Sequence, residues 1–238
     1  MVLSAAALLV ACAAQTVETK PATRTPQELL EQARSAREAG DLVQARTSFE
    51  AAAAADPSWD LPRLDLAELL VGDGVELDGV VALLEQAQAI RADNPRLYQI
   101  RGNLLELQRE DSGAAESYER ALALRDDPDL RCRRARVLAR LRREGEAIAE
   151  LEQVRKARPQ NWSARVDLAE LYESAGKLKP AEAELQSASD AVPEQTGPLA
   201  ALARFYDRHG KKKQAAKVKQ RLREIERPER RLRPLGPS

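Results

Sequence analysis

Small and large apolar residues recur along this chain with a long period. A small residue stands within an apolar stretch at Ala33, Ala67, Gly102, Ala135, Ala169 and Ala203, at intervals of 34, 35, 33, 34 and 34 residues. A second small residue follows about twelve positions later, at Ala45, Ala114, Ala147, Ala181 and Ala215, with Gly79 or Val80 in that role in the second unit. A large residue comes next, at Phe49, Leu84, Tyr118, Leu151 and Leu185. Gly40, Gly176 and Gly210 fall where a first helix would end, since a left-handed cap favours glycine. Asp41, Asp111 and Glu146 fall where a second helix would start, in favour with its dipole. None of the 13 prolines interrupts the middle of a helix so drawn. No segment alternates strictly between apolar and polar residues, so no sheet is expected.

The 34-residue pattern resembles the tetratricopeptide repeat (TPR) family. The cleanest copy runs from Trp162 through Leu168, Ala169 and Tyr172, then Ala175-Gly176-Lys177, then Ala181, Leu185, Ala188 and Pro193. The resemblance implies an all-α, right-handed superhelical solenoid of about six helix-turn-helix units over residues 26–227, ending in a capping helix. Each first small site would let the first helix approach the second, each second small site the reverse, and the large residues would fill the gap to the neighbouring unit. Four positions depart from the pattern. The turn Gly72-Asp73-Gly74-Val75-Glu76 lengthens the second unit. Arg101 and Arg134 stand where the family has apolar residues, so either their helices are rotated or their stems lie along the surface. Lys219 replaces a large apolar residue in the last helix, as a polar cap requires.

The chain's first residues differ from the rest. Met1 to Ala11 form a short apolar run, and polar sequence follows at once, which reads as a secretory signal. Leu9-Val10-Ala11-Cys12 resembles the bacterial lipobox. That resemblance implies cleavage before Cys12, lipid on its thiol and acylation of the new amino terminus. Each buried CH₂ contributes about 0.8 kcal/mol, so one acyl chain holds marginally and two or more hold firmly. Ala13, rather than Asp, follows the cysteine, which implies the outer membrane. Residues 12–25 then read as a lipidated flexible tether. Residues 228–238 read as a basic disordered tail.

Composition narrows the function. Hydrophobic residues are 43% of the chain but aromatics only 3%, which suits thin helix-to-helix seams better than one broad core. Lys+Arg and Asp+Glu both number 38, so no net charge draws the chain to nucleic acid. Residues 26–110 carry 8 basic and 16 acidic side chains, a net of −8; residues 211–238 carry 11 and 3, a net of +8. No apolar stretch reaches the roughly 18–20 residues that a membrane-spanning helix needs. Reactive groups are few. The single histidine, His209, sits at a helix end, and no cluster has metal-ligand spacing. No glycine-rich phosphate loop occurs. Cys132 lies among Arg131, Arg133, Arg134 and Arg136, which would lower a thiol pKa, yet no partner histidine is near in sequence. An exposed or half-buried inert thiol is expected there. No catalytic residue, cofactor, metal or small-molecule substrate is expected.

The TPR resemblance further implies a concave groove lined by the first helix of each unit. Projected onto this chain, it selects Leu61, Leu64, Glu68, Asn103, Arg136, Arg140, Glu170, Arg204 and Arg208. Arginine grips a carboxylate with two parallel bonds, so a protein or extended peptide is the expected ligand. Six repeats on a lipidated cysteine resemble the pilotin lipoproteins of type IV pili, which escort secretin subunits to the outer membrane. The expected function is thus a non-enzymatic scaffold, lipid-anchored in the bacterial envelope. The alternative is a soluble cytosolic TPR adaptor that binds peptide segments. Growth with a radioactive fatty acid distinguishes the two: label should appear on the wild type and be absent from Cys12→Ala. Equal label on both would end the lipoprotein reading.

Overall fold

The computed structural model describes residues 24–74 and 77–226. The signal-like segment, Cys12, nearly all of the tether and the basic tail lie outside the described residues. Among the described residues there are twelve α-helices and no strand. They are α1 (Pro26–Glu38), α2 (Leu42–Ala55), α3 (Leu61–Asp73), α4 (Leu77–Ile90), α5 (Pro95–Leu107), α6 (Asp111–Leu124), α7 (Pro128–Arg140), α8 (Glu144–Ala157), α9 (Trp162–Ser174), α10 (Leu178–Ala191), α11 (Thr196–Arg208) and α12 (Lys212–Glu226). Consecutive helices pair as hairpins, giving six units, and each unit stacks on the next. Every odd helix spans 13 residues, so the same faces return at the same height along the stack.

The helix starts follow from local chemistry. Thr25 and Glu28 form a reciprocal capping box on α1. Asp41, Asn94, Asp127 and Asn161 cap α2, α5, α7 and α9 through their side chains. Pro26, Pro62, Pro95 and Pro128 occupy first-turn positions, where the missing N–H costs nothing.

The turns inside the units carry a surprise. Gly40, Gly176 and Gly210 are left-handed, as the sequence suggests, with φ of 80°, 72° and 68°. The same corner in the third and fourth units is made by Arg109 and Arg142, at φ 64° and 61°. An L-residue is strained there by its Cβ. The unit geometry therefore imposes the corner whether or not a glycine is present.

The six first small sites and five second ones are buried, and Val80, not Gly79, fills the role in the second unit. Their large partners Phe49, Leu84, Tyr118, Leu151 and Leu185 are at most 3% exposed. Gly102 shows why the small site is small: a Cβ built there would lie 2.3 Å from the Tyr118 ring. The apolar interior forms three successive clusters along the stack, with no common centre.

Arg134 neither snorkels nor rotates away. Its guanidinium is buried, pairs with Glu150 and reaches Glu119 at 2.9 Å. Arg131 joins the same Glu150 at 2.5 Å. The motif returns one unit later, where Glu184 takes Arg165 at 2.5 Å and Arg155 at 3.2 Å. Arg101 is half-buried and donates to Gln88 at 2.6 Å. At the far end, Lys219 pairs with Asp207 at 2.7 Å, and Ala215 is the only fully buried residue among those of α12.

Three substitutions separate these packing and backbone effects. Gly102→Ala should lower stability by about 1–3 kcal/mol through overpacking against Tyr118. Arg109→Gly and Arg142→Gly should each raise it by about 0.5–1 kcal/mol, the Cβ strain less the extra chain entropy of glycine. Urea melts read both.

Candidate functional site

The odd helices line one side of the stack and touch one another across units: α3 meets α5, α7 meets α9, and α9 meets α11. Their outward positions carry charge in stripes. Arg34 and Arg37 lie on α1, Asp65 and Glu68 on α3, Arg136 and Arg140 on α7, Asp167, Glu170 and Glu173 on α9, and Arg204 and Arg208 on α11. Stripes of opposite sign sit side by side, and they bond.

The bonds cross from unit to unit. Arg34 reaches Asp65 at 2.8 Å, and Arg96 reaches Asp65 at 2.5 Å and pairs also with Glu68. Arg136 donates to Asp167 at 2.9 Å. Arg140 bridges back to Glu106 at 2.8 Å and Asp111 at 2.7 Å. Arg208 grips Glu173 with two bonds, at 2.8 and 2.6 Å, and His209 meets the same carboxylate at 2.8 Å. The concave wall is thus an ionic zipper between neighbouring units.

This places the nine sequence-selected residues in four groups. Glu68, Arg136, Arg140 and Arg208 face the groove but are already paired within the chain. Asn103 is half-committed: its Oδ1 accepts from the Tyr118 hydroxyl at 2.8 Å. Leu61 packs partly buried against the first core cluster, while Glu170 and Arg204 are exposed with no hydrogen bond or ion pair to a described residue. Leu64 is a correction. It is fully buried, because it shares a helix face with the close-packing Ala67 three residues on, and it cannot touch a partner.

Cys132 is a second correction. It is buried, 7% exposed, and its thiol is pushed up to about 11 by burial, with Asp167 and Asp129 adding to the effect. Arg131 and Arg134 turn to Glu150, and Arg136, though paired with Asp167, still pulls the thiol down without outweighing burial. It is held as the inert thiol. His209 is satisfied structurally by Glu173 and by the Phe205 ring, 4.6 Å away. Among the described residues no group of three or more His, Cys, Asp or Glu could hold a metal ion.

The three α9 carboxylates differ in acidity. The Arg208 and His209 bonds hold Glu173 below the usual carboxylate range. Partial removal from water raises Glu170, and the neighbouring Asp167 raises it further against the pull of Arg204. Burial likewise raises Asp167, with Arg136 opposing. A lowered carboxylate stabilises the fold above its unfolded pKa, and the contribution is lost as pH falls through the folded value. A raised one does the reverse, so ionised Glu170 is unfavourable at neutral pH. Glu170→Gln should therefore raise the melting temperature at pH 7, with the gain vanishing well below about pH 4.3. Glu173→Gln should lower it at pH 7, by a few degrees at most for so exposed a pair. Thermal melts by circular dichroism at the two pH values check both signs.

Residues 138–196 match the sequence model of the tetratricopeptide repeat. No curated protein matches the sequence. Among solved structures, the type IV pilus biogenesis factor PilW superposes with a TM-score of 0.72 at 22% identity, over 84% of this chain and 93% of that one. PilF of Pseudomonas aeruginosa gives 0.69 at 16% identity, over 84% and 91%. YrrB, described as a TPR protein with an unusual peptide-binding site, gives 0.61 at 18%, over 74% and 91%. At identities of 16–22%, these likenesses speak for fold and not for a particular partner. A tetratricopeptide-repeat sequence match over residues 138–196 thus sits within a described chain that folds as a TPR-like helical solenoid.

Proposed function

We propose that this protein is a scaffold for type IV pilus assembly, anchored in the bacterial outer membrane by lipid on Cys12, where it holds a protein partner as pilotins hold secretin subunits. The carrying observation is the six-unit stack behind a lipobox-like Leu9-Val10-Ala11-Cys12, a stack that superposes on PilW and PilF over 84% of its length. TPR stacks bind proteins or peptides, and the concave wall supplies the contact chemistry for that.

The zipper shapes how such a partner binds. A carboxylate on the partner competes with Asp167 for Arg136, or with Glu173 for Arg208, so it exchanges one ion pair for another and gains little. Glu170 and Arg204 have no ion pair to give up. They make the back of the groove the natural recognition point, with Leu61 offering apolar contact at the front. An extended segment carrying a basic and an acidic residue in that order fits the pair.

The test is made in cells. Loss of the chain should abolish detergent-resistant secretin multimers, and Cys12→Ala should leave secretin monomers outside the outer membrane. The double reversal Glu170→Arg/Arg204→Glu should lower multimer yield with the scaffold still present at normal level. Normal multimers in cells lacking the chain would remove the pilotin role.

A further inference from the structure

The solenoid's other side changes character at its last unit. In the fifth unit the crevice between the even helices α8 and α10 is filled by Arg155, Arg165 and Glu184, with Tyr172 donating to Glu152 at 2.8 Å beside them. One period of 34 residues later these positions are Ser189, Leu199, Val218, Tyr206 and Gln186. The tyrosine bond survives, Gln186 now donating to Tyr206 at 3.0 Å. The three charged side chains do not. A cleft of about 400 Å³ opens in their place, between α10 and α12, and Leu199, Leu202 and Val218 lie along it.

Its rim is cationic. Lys217 and Arg221 border it from α12, where α10 has Ala183 and Ser187 at the matching positions. Among the described residues Lys217 has no ion-pair partner, and Arg221 makes only a 3.4 Å contact to the Pro193 carbonyl. Lys213, also exposed and unpaired, extends the charge along α12. Asp190 is the one acid on the rim.

We infer that this cleft is a second docking surface, for an acidic peptide segment that inserts an aliphatic or aromatic side chain between Leu199 and Val218 and lays carboxylates on Lys217 and Arg221. The shape decides against a lipid surface: a bilayer meets a flat basic face, whereas this apolar floor is recessed between two helices. Desolvated floor and charged rim give the arrangement of an interface anchor. The inference stands apart from the concave reading, since the two surfaces share no residue.

The chain itself supplies the variant. Leu199→Arg/Val218→Glu restores the ion pair that the two preceding units already hold at those positions, Arg131 with Glu150 and Arg165 with Glu184, and so refills the cleft. The probe is a short fluorescein-labelled peptide of glutamates carrying two leucines at helical spacing, followed by anisotropy on the full chain. It should bind wild type saturably, and at least about tenfold more weakly to the refilled variant, a difference of about 1.4 kcal/mol. Lys217→Glu/Arg221→Glu, altered only at the rim, should show the same loss and decides the matter if the refilled variant melts early. Equal binding by a peptide with alanine for leucine would overturn the inference, as would undiminished binding to either variant or no binding to wild type. Binding of phosphatidylglycerol vesicles through Lys217 and Arg221, with the peptide inert, would make this a membrane face instead. Glu170→Arg/Arg204→Glu should leave peptide binding unchanged, so failure of the pilus role does not touch this result.

Discussion

The whole molecule depends on how closely two helices approach at one alanine or glycine. At Gly102 the facing Tyr118 ring occupies the space that a Cβ would need, and units one, two, four and five each bury an Ala at this site and a Phe or Leu at the large one. Close approach lets short aliphatic side chains fill the seam, which is why so few aromatics suffice. It also sets the pitch of each hairpin, and the pitch sets where the next unit lands. Stability is then shared among neighbour interfaces, since the three apolar clusters follow one another along the stack. Damage at one seam is felt by its neighbours and little beyond.

Charge is laid over that frame in two ways. On the concave side, stripes of opposite sign on successive odd helices close into pairs between units. Where both partners are largely exposed such pairs contribute about 0–1 kcal/mol each, so they do not hold the stack together; Asp65, buried beneath Arg34 and Arg96, is the exception. Their main effect is chemical: they use up arginines that a partner's carboxylate would otherwise find free. On the other side, Arg134, Arg165, Glu150 and Glu184 are more deeply set, and burying such pairs costs desolvation that the contact roughly offsets. They fill volume and satisfy one another.

The fold was legible because its cause is periodic. A small residue every 34 positions marks a seam, and seams imply hairpins stacked in a row. The helices were legible for the same reason: Glu68, Arg136, Glu170 and Arg204 each lie on the first helix of their unit. Leu64 was misplaced because a helix position near the boundary of a face turns inward or outward with the local rotation. What periodicity does not carry is partnership across units. Arg136 meets Asp167, 31 residues on, while Arg208 meets Glu173, 35 residues back, and which acid an arginine meets depends on superhelical twist. Cys132 shows the consequence. Four arginines crowd it in sequence, yet the fold pairs Arg131 and Arg134 with Glu150, and burial outweighs the pull that Arg136 keeps on the thiol. Arg109 and Arg142 show the converse: a corner can be demanded by packing with no glycine to announce it.

A wall of closed ion pairs changes what binding means for this scaffold. A partner that approaches the concave side finds little free charge, so its affinity has to come from the few open positions and from exchanging pairs already made. Exchange of like for like is nearly neutral in energy but strict in geometry, because each guanidinium is held in place by its neighbour unit. The wall therefore favours selectivity over strength. The last unit departs from it by dropping three filling charges, which leaves a recessed apolar cleft beneath Lys217 and Arg221, where desolvation and cationic charge act together.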